Sequence, residues 1–522
     1  MLANHPRDIK ILLIDEIMKG ATGQQEDMFR SVTPPKKIGS KAYEQQVIDL
    51  RADLLKAQID LGKTPRSIIV TIAGVDGAGK GEVIQLLNEW LDPRGLETHS
   101  FWNLENEVSQ RPYQWRYWRA LPPRGRLSIW FGGMYTDAIA SCTQRESRSK
   151  WSQSKCKEIQ AFEEMLRLDG TTHLKIWLHL GKSEQRKRLK DLTENPKLHW
   201  RATREDWKHH NLYDTYSEAA QHVLKCTHFP AAPWTVLDAS EKPQRDISVG
   251  KALLACMERT VKGRRVGILQ PTPEPSKKLQ HDNQLDAVDL SQRLSGKAYQ
   301  NSLLEWQARC HRLFWEAYDR SIPTVLVFEG WDAAGKGSAI KRVTGAIDAR
   351  LYRIVCVGAP TDEENQFHYL WRFWKPLPAA GRVTIFDRSW YGRVLVERVE
   401  KFAKPEEWKR AYEEINAFEK QLLSQGTVLC KFWIHISPEK QMERFQKRLE
   451  VPYKRHKITD EDWRNREKWP AYEEAINEMI HRTDSPSAPW TVVAGNNKKF
   501  ARIQILKTIC GSLKKAVERH KG

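Results

Sequence analysis

The strongest constraint on this chain is that it repeats itself. Lys41 of "SKAY" and Lys297 of "GKAY" lie 256 positions apart. The same interval relates "GVDGAGKG" (74–81) to "GWDAAGKG" (330–337) and "WRYWRALPPRGR" (115–126) to "WRFWKPLPAAGR" (371–382). It also relates "QAFEE" (160–164) to "NAFEK" (416–420), Trp207 to Trp463, and "APWTVL" (232–237) to "APWTVV" (488–493). No insertion is needed over roughly two hundred residues, which chance recurrence of short motifs does not produce. The 522 residues are therefore two copies of one domain, in keeping with a length beyond what one core usually organises. Between the copies, "LQPTPEPSKKLQHDNQLDAVD" is rich in proline and polar residues and reads as an exposed linker. The division expected is an N-terminal extension over 1–36 with no match in the second half, a first domain over 37–262, a linker over 263–292 and a second domain over 293–522.

Each copy has a legible order. A helical stretch leads into a β-branched strand ("SIIVTIAG", "PTVLVFEG"), which runs straight into a glycine loop and a helix. A second strand ("RLSIWF", "RVTIFD") precedes a long charged helix; a third ("LKIWLHL", "LCKFWIHI") precedes a basic helical segment; "PWTV" supplies the last. Near-continuous apolar strands alternating with helices predict an α/β fold with a parallel sheet covered on both faces.

Composition narrows the partners. Lys and Arg number 85 against 66 acidic residues, a formal charge of +19, which favours a polyanion such as nucleic acid, a phosphorylated polymer or a membrane surface without choosing among them. Eight scattered cysteines form no C-x-x-C pair and suit a reducing setting. The apolar run "IKILLIDEIM" is broken by Asp15 and Glu16 and is too short for a signal core or a membrane span, so a soluble cytoplasmic protein is expected.

The second copy carries the complete chemistry. "FEGWDAAGKGS" (328–338) has the spacing G-x-x-x-x-G-K between a strand and a helix, with Gly330, Ala333, Ala334, Gly335, Lys336, Gly337 and Ser338 as the phosphate-holding stretch. Such glycines let backbone N–H groups wrap an anion at a helix N-terminus, and the lysine adds a mobile charge. The usual Ser or Thr after the lysine, which holds magnesium, is Gly337; Asp332 within the loop is the substitute metal ligand, with turn capping as its structural alternative. In "TIFDRSWYGR" (384–393) Asp387 ends a sheet strand, where a second metal or base position belongs, and Arg388 can neutralise transferring charge or serve as a structural salt bridge. The basic stretch 441–463 offers Arg444, Arg448, Lys454, Arg455 and Lys457 for a lid that excludes water; a solvated basic helix is the bland reading for each.

"EGWDAAGKGSAIKR", "APTDEE", "FDRSWYGRVLVERV" and "SPSAPWTVV", in this order, resemble the family-2 polyphosphate kinases, and the fused pair resembles their polyphosphate:AMP phosphotransferase subgroup. The resemblance implies a P-loop kinase-like three-layer sandwich in two tandem copies, with Asp332, Lys336, Asp387 and Arg388 as the catalytic set, the lid basics within 444–457, and Mg²⁺ held by Asp332 and Asp387. Thr361, Tyr391 and Arg393 are further candidates for the nucleotide. It implies polyphosphate and AMP or ADP as partners, no nucleic acid, no membrane, and leaves a homo-oligomer open. The first copy keeps Asp76 and Lys80 but has Phe131, Gly132 and Gly133 opposite Asp387, Arg388 and Ser389, so it is expected to be inactive in transfer. Two rivals stand: an ATP-dependent nucleotide kinase of the thymidylate kinase type, and a nucleic-acid-binding protein that stacks bases on its tryptophans.

Overall fold

The apolar run Ser67–Gly74 is buried at every position, as befits a central strand with neighbours on both sides and helices on both faces. The computed structural model describes residues 28–29, 37–101, 110–143, 150–197, 199, 204–263, 283–450, 458 and 460–520. The run forms β1 of a five-stranded sheet with β2 (Leu96–Ser100), β3 (Leu127–Phe131), β4 (Thr171–His179) and β5 (Trp234–Asp238), in the order β2-β3-β1-β4-β5. A second sheet contains β6 (Thr324–Gly330), β7 (Tyr352–Cys356), β8 (Val383–Asp387), β9 (Val428–His435) and β10 (Trp490–Ala494), and repeats that order with β6 at the centre. Every strand pairing in both sheets is parallel. In each sheet the chain leaves the central strand toward one edge and later returns past it to the other, so the connections diverge at the central strand's carboxyl end. Open parallel sheets bind ligands in the crevice this creates.

Each sheet has one strand more than the sequence signals show. Both additions, β2 and β7, are short edge strands with largely exposed residues, polar in β2 and including Ile354 and Val355 in β7. Edge strands this short lack the long apolar run that announces a central one.

The chain divides into two compact units, one of residues 1–103 and 120–272, the other of 104–119 and 273–522. The first copy is thus interrupted: residues 110–119, from within its sequence, belong to the second unit. There the helix Trp115–Arg119 meets the helix Trp371–Trp374. Trp118 stacks on Trp374, its own counterpart, with ring centroids 5.5 Å apart. Both indoles are almost wholly buried, which accounts for the attachment: an aromatic face this large gains more from an apolar partner than from water.

One buried network occurs in both units. Lys175 Nζ donates to Glu163 at 2.8 Å and to the Thr227 carbonyl at 2.6 Å, and Tyr135 donates to Glu163. At the 256-residue interval, Lys431 Nζ donates to Glu419 at 2.8 Å and to the Thr483 carbonyl at 2.7 Å, and Tyr391 donates to Glu419. A charge pair so deep persists only when both members and their remaining hydrogen bonds are satisfied, as here. Among the described residues, no helix is long and apolar enough to cross a membrane.

Candidate active site in the second unit

The loop after β6 is shaped by close approach. Gly330 has φ of 147°, and a side chain there would lie 2.6 Å from the Ile434 carbonyl of the neighbouring strand, so only glycine fits. The chain then turns through Ala333, left-handed at φ 59° although it is not glycine, and Gly335 leads into the helix Lys336–Thr344. Lys336 reaches back over the loop, donating to the carbonyls of Gly330 at 2.6 Å and Trp331 at 3.3 Å. Burial holds its ammonium below the usual lysine range, an effect the nearby Asp332 opposes. Gly337 faces open space, while Ser338 turns its hydroxyl back to the Gly335 carbonyl.

Asp332 does not cap the turn with its side chain. One carboxylate oxygen pairs with Arg388 at 3.3 Å and the other accepts from Asn465 at 3.0 Å; its backbone carbonyl accepts from Gln441 at 3.1 Å. Tyr472 in turn donates to Asn465 at 3.1 Å. Asp387 ends β8, the strand beside β6. Among the described residues its carboxylate has no hydrogen bond or ion pair, yet its charge acts on Lys336, Arg388 and Glu329. Arg388 follows in a left-handed conformation, φ 64°, and its side chain is 44% exposed, so the guanidinium is available to an anion even while it touches Asp332. The salt bridge read for Arg388 is thus present, with the guanidinium still open to solvent.

Lys336, Asp332 and Arg388 line a single cleft, together with Glu329, Trp331, Gln441, Glu461, Asn465 and Tyr472. Most of these escaped the sequence analysis. Trp331 lies face to face with Trp469, ring centroids 3.6 Å apart, and its indole N–H donates to His435. Glu329 is a buried carboxyl that accepts from the Ser389 hydroxyl at 2.7 Å, and burial pushes its pKa up. For Glu329 the signal was present: its counterpart at the 256-residue interval is Ala73.

Other expected site residues fall elsewhere. Arg444 is not a lid residue. It is buried beneath the loop and donates to four carbonyls: Ala333 at 3.0 Å, Ala334 at 2.8 Å, Gly495 at 2.7 Å and Asn496 at 3.0 Å. Its counterpart Arg188 does the same for Gly77, Ala239 and Ser240. Arg448 is half-buried on the helix Pro438–Glu450 and does not line the cleft; Lys454, Arg455 and Lys457 lie outside the described residues. Tyr391 is not placed to touch a nucleotide, because it is fully buried and belongs to the network both units share. Arg393 lies over the Tyr369 ring at 4.4 Å and pairs with Glu397 at 3.2 Å, outside the cleft lining. Thr361 is exposed and exchanges hydrogen bonds with Glu364.

The first unit builds the same loop around a different interior. Lys80 donates to the carbonyls of Gly74 and Val75 and also directly to Asp76 at 3.0 Å, while His209, at the position of Asn465, bonds the other Asp76 oxygen at 2.7 Å. Burial works to raise the Asp76 pKa, but Lys80 and His209 together hold it below the usual carboxylate range. Arg245, where the second copy has Ala501, reaches the loop from behind to the Ala78 carbonyl at 3.2 Å. At the end of β3 stand Phe131, Gly132 and Gly133, with no acid or cation.

These features have relatives. The polyphosphate kinase 2 family model matches this chain twice, over 37–265 and 293–521. A polyphosphate:AMP phosphotransferase of Pseudomonas aeruginosa is 43% identical over 496 residues, spanning 95% of this chain and all of that protein. One of Acinetobacter johnsonii is 36% identical over 491 residues, 91% of this chain and 98% of the relative. The crystal structure of a candidate polyphosphate kinase 2 from Pseudomonas aeruginosa superposes with a TM-score of 0.84 at 42% identity, covering 94% of this chain and all of that one. The chain belongs to the polyphosphate kinase 2 family.

Proposed function

We propose that the second unit transfers the terminal phosphoryl group of inorganic polyphosphate to AMP, forming ADP, and that the first unit transfers none. The observation that carries this reading is the gathering of Asp332, Lys336 and Arg388 around one cleft, with Asp387, unpartnered among the described residues, at the end of the adjacent strand. Relatives of matching length named for the same reaction support it. The donor set fits Mg²⁺: two hard carboxylates with hydrogen-bonding and charged neighbours, for an ion that keeps most of its shell for water and substrate phosphate. Asp332 and Asp387 would hold it, and it would supply charge neutralisation for the phosphates. The backbone N–H groups of the loop hold the phosphate next to the transferring group. Lys336 and Arg388 draw charge from the phosphoryl group as it moves between oxygens, so positioning and charge neutralisation do most of the work. A basic surface delivers the polymer, and binding weakens as salt rises, as for other polyanions. The reading places the reaction in the cytoplasm, with free nucleotide as the acceptor and neither nucleic acid nor membrane as a partner.

The test is to incubate AMP with polyphosphate and Mg²⁺ and measure ADP, with a parallel arm supplying ATP in place of polyphosphate. ADP from polyphosphate, abolished by chelating the metal, is the expected outcome. Absence of ADP from the polyphosphate arm overturns the reading.

A further inference from the structure

Glu329 is a carboxyl buried to 5% exposure at the inner wall of the cleft, and the catalytic set described above leaves it without a task. Its contact is specific. Ser389, itself buried, donates its hydroxyl to Glu329 at 2.7 Å, and Ser389 immediately follows Asp387 and Arg388. Burying a carboxyl is costly even when it is hydrogen-bonded, so something must account for its presence.

The two units provide an internal control. Glu329 and Ser389 correspond to Ala73 and Gly133. The backbone is the same as far as the arginine position: the N–H of Arg388 donates to the Phe328 carbonyl at 3.0 Å, and that of Gly132 to the Ile72 carbonyl at 3.0 Å; one residue on it diverges, with Ser389 extended at φ −155° and Gly133 left-handed at φ 83°. Both turns are left-handed, φ 64° at Arg388 and 75° at Gly132. The strand end and its left-handed residue therefore form without a carboxyl–hydroxyl pair, and the path differs where Ser389 makes its bond. Four side chains are missing together in the first unit, Glu329, Asp387, Arg388 and Ser389, while the buried lysine–glutamate–tyrosine network is retained. A pair needed for folding would be retained with that network; a pair needed for chemistry is lost with the catalytic residues, as observed.

We infer that Glu329 is a positioning residue for phosphoryl transfer, fixing through its hydrogen bond from Ser389 the turn that presents Asp387 and Arg388 to the reacting phosphate. Without the bond the turn retains its average path, held by the strand, but the left-handed arginine gains freedom. A loosened Arg388 stabilises the transition state less while binding of AMP hardly changes, so the loss falls on kcat. The pair acts as one unit, so removing either member removes the same effect.

The inference rests on the proposed transfer reaction, and the experiment separates the two. Rates of ADP formation and thermal unfolding are measured for the parent, Glu329→Gln, Ser389→Ala and the double variant, with Asp387→Asn as the inactive reference. The expected result is a parent that is active and a Glu329→Gln protein that unfolds at the parent's temperature, with kcat lowered about 10- to 100-fold and KM for AMP within about threefold. Ser389→Ala shows a smaller loss of the same kind, and the double variant is no slower than Glu329→Gln. A parent that makes no ADP removes the function reading itself. An active parent with kcat of Ser389→Ala unchanged, or with the two losses multiplying in the double variant, overturns the positioning role. The serine variant decides the matter even where Glu329→Gln does not fold.

Discussion

Lys80 and Lys336 occupy the same point of the same fold, each reaching back to the first two carbonyls of its loop, and they differ in what else they meet. Lys80 is bonded to Asp76, whose other oxygen is taken by His209. Lys336 makes no such bond: Asp332 faces Arg388 and Asn465, and Asp387 stands unpartnered among the described residues at the end of the next strand. The first loop has satisfied its charges internally. The second pairs Asp332 with the half-exposed Arg388 and, among the described residues, leaves Lys336 and Asp387 without an ion pair, an arrangement that keeps groups available to a metal and a phosphate. Two loops alike in their own residues thus differ chiefly at the strand end beside them, and the proposed assignment of transfer to the second unit rests on that end.

The largest effects should come from breaking that contrast directly. Lys336→Ala and Asp387→Asn are each expected to lower ADP formation by about 10³-fold or more, while Lys80→Ala stays within about twofold of the parent. Steady-state rates on AMP and polyphosphate check this; equal losses at Lys80 and Lys336 would show that both units take part.

Arg388→Gly sharpens the comparison next. It places in the second unit the residue the first has at this turn. The left-handed conformation costs arginine about 1 kcal/mol that glycine does not incur. The variant should therefore lose about 10²-fold in kcat and yet unfold no earlier than the parent, so activity and stability move in opposite directions.

Arg444 and Arg188 test what the units share. Removing either guanidinium leaves buried carbonyls without donors, so Arg444→Ala and Arg188→Ala should each destabilise by about 3 kcal/mol in chemical denaturation. If transfer occurs at the second loop, as proposed, Arg444→Ala should also slow it; a comparable slowing by Arg188→Ala would contradict the division of labour.

The smallest effect concerns acid. The Asp76 pKa is held below the ordinary carboxylate value, so its contribution to stability is complete above about pH 4 and fades as pH falls through the lowered folded value. The stability difference between the parent and Asp76→Asn, followed by denaturant unfolding at a series of pH values, should shrink over that acid range and stay constant above it.

Much of this was legible in the chain. Repetition at 256 residues gave the two copies, the apolar runs gave the central strands, and G-x-x-x-x-G-K gave the loop with Asp332 and Lys336. The edge strands β2 and β7 were not legible, because β2 is mostly polar and the apolar residues of β7 form a run too short to stand out, and both are largely exposed. Arg444 misled for a physical reason. A guanidinium in a basic helix looks the same in sequence whether it points to water or to four carbonyls under a loop, and Arg188, seven residues into the corresponding helix, was equally mute. Tyr391, a nucleotide candidate in the sequence, likewise turns its ring inward to Glu419.

The sequence by itself determined the duplication, the class of fold, the phosphate loop and the asymmetry between Asp387 and Phe131, because each is written in residues close together or at one fixed interval. Only the tertiary structure decided which charges meet: Asp332 with Arg388 and Asn465, Asp76 with Lys80 and His209, Glu329 with Ser389. It also decided that residues 110–119 of the first copy pack within the second unit. Most of these contacts join residues dozens to more than a hundred positions apart, and a hydrogen bond or an aromatic stack depends on separations of a few ångströms in space, which no local pattern of residues encodes.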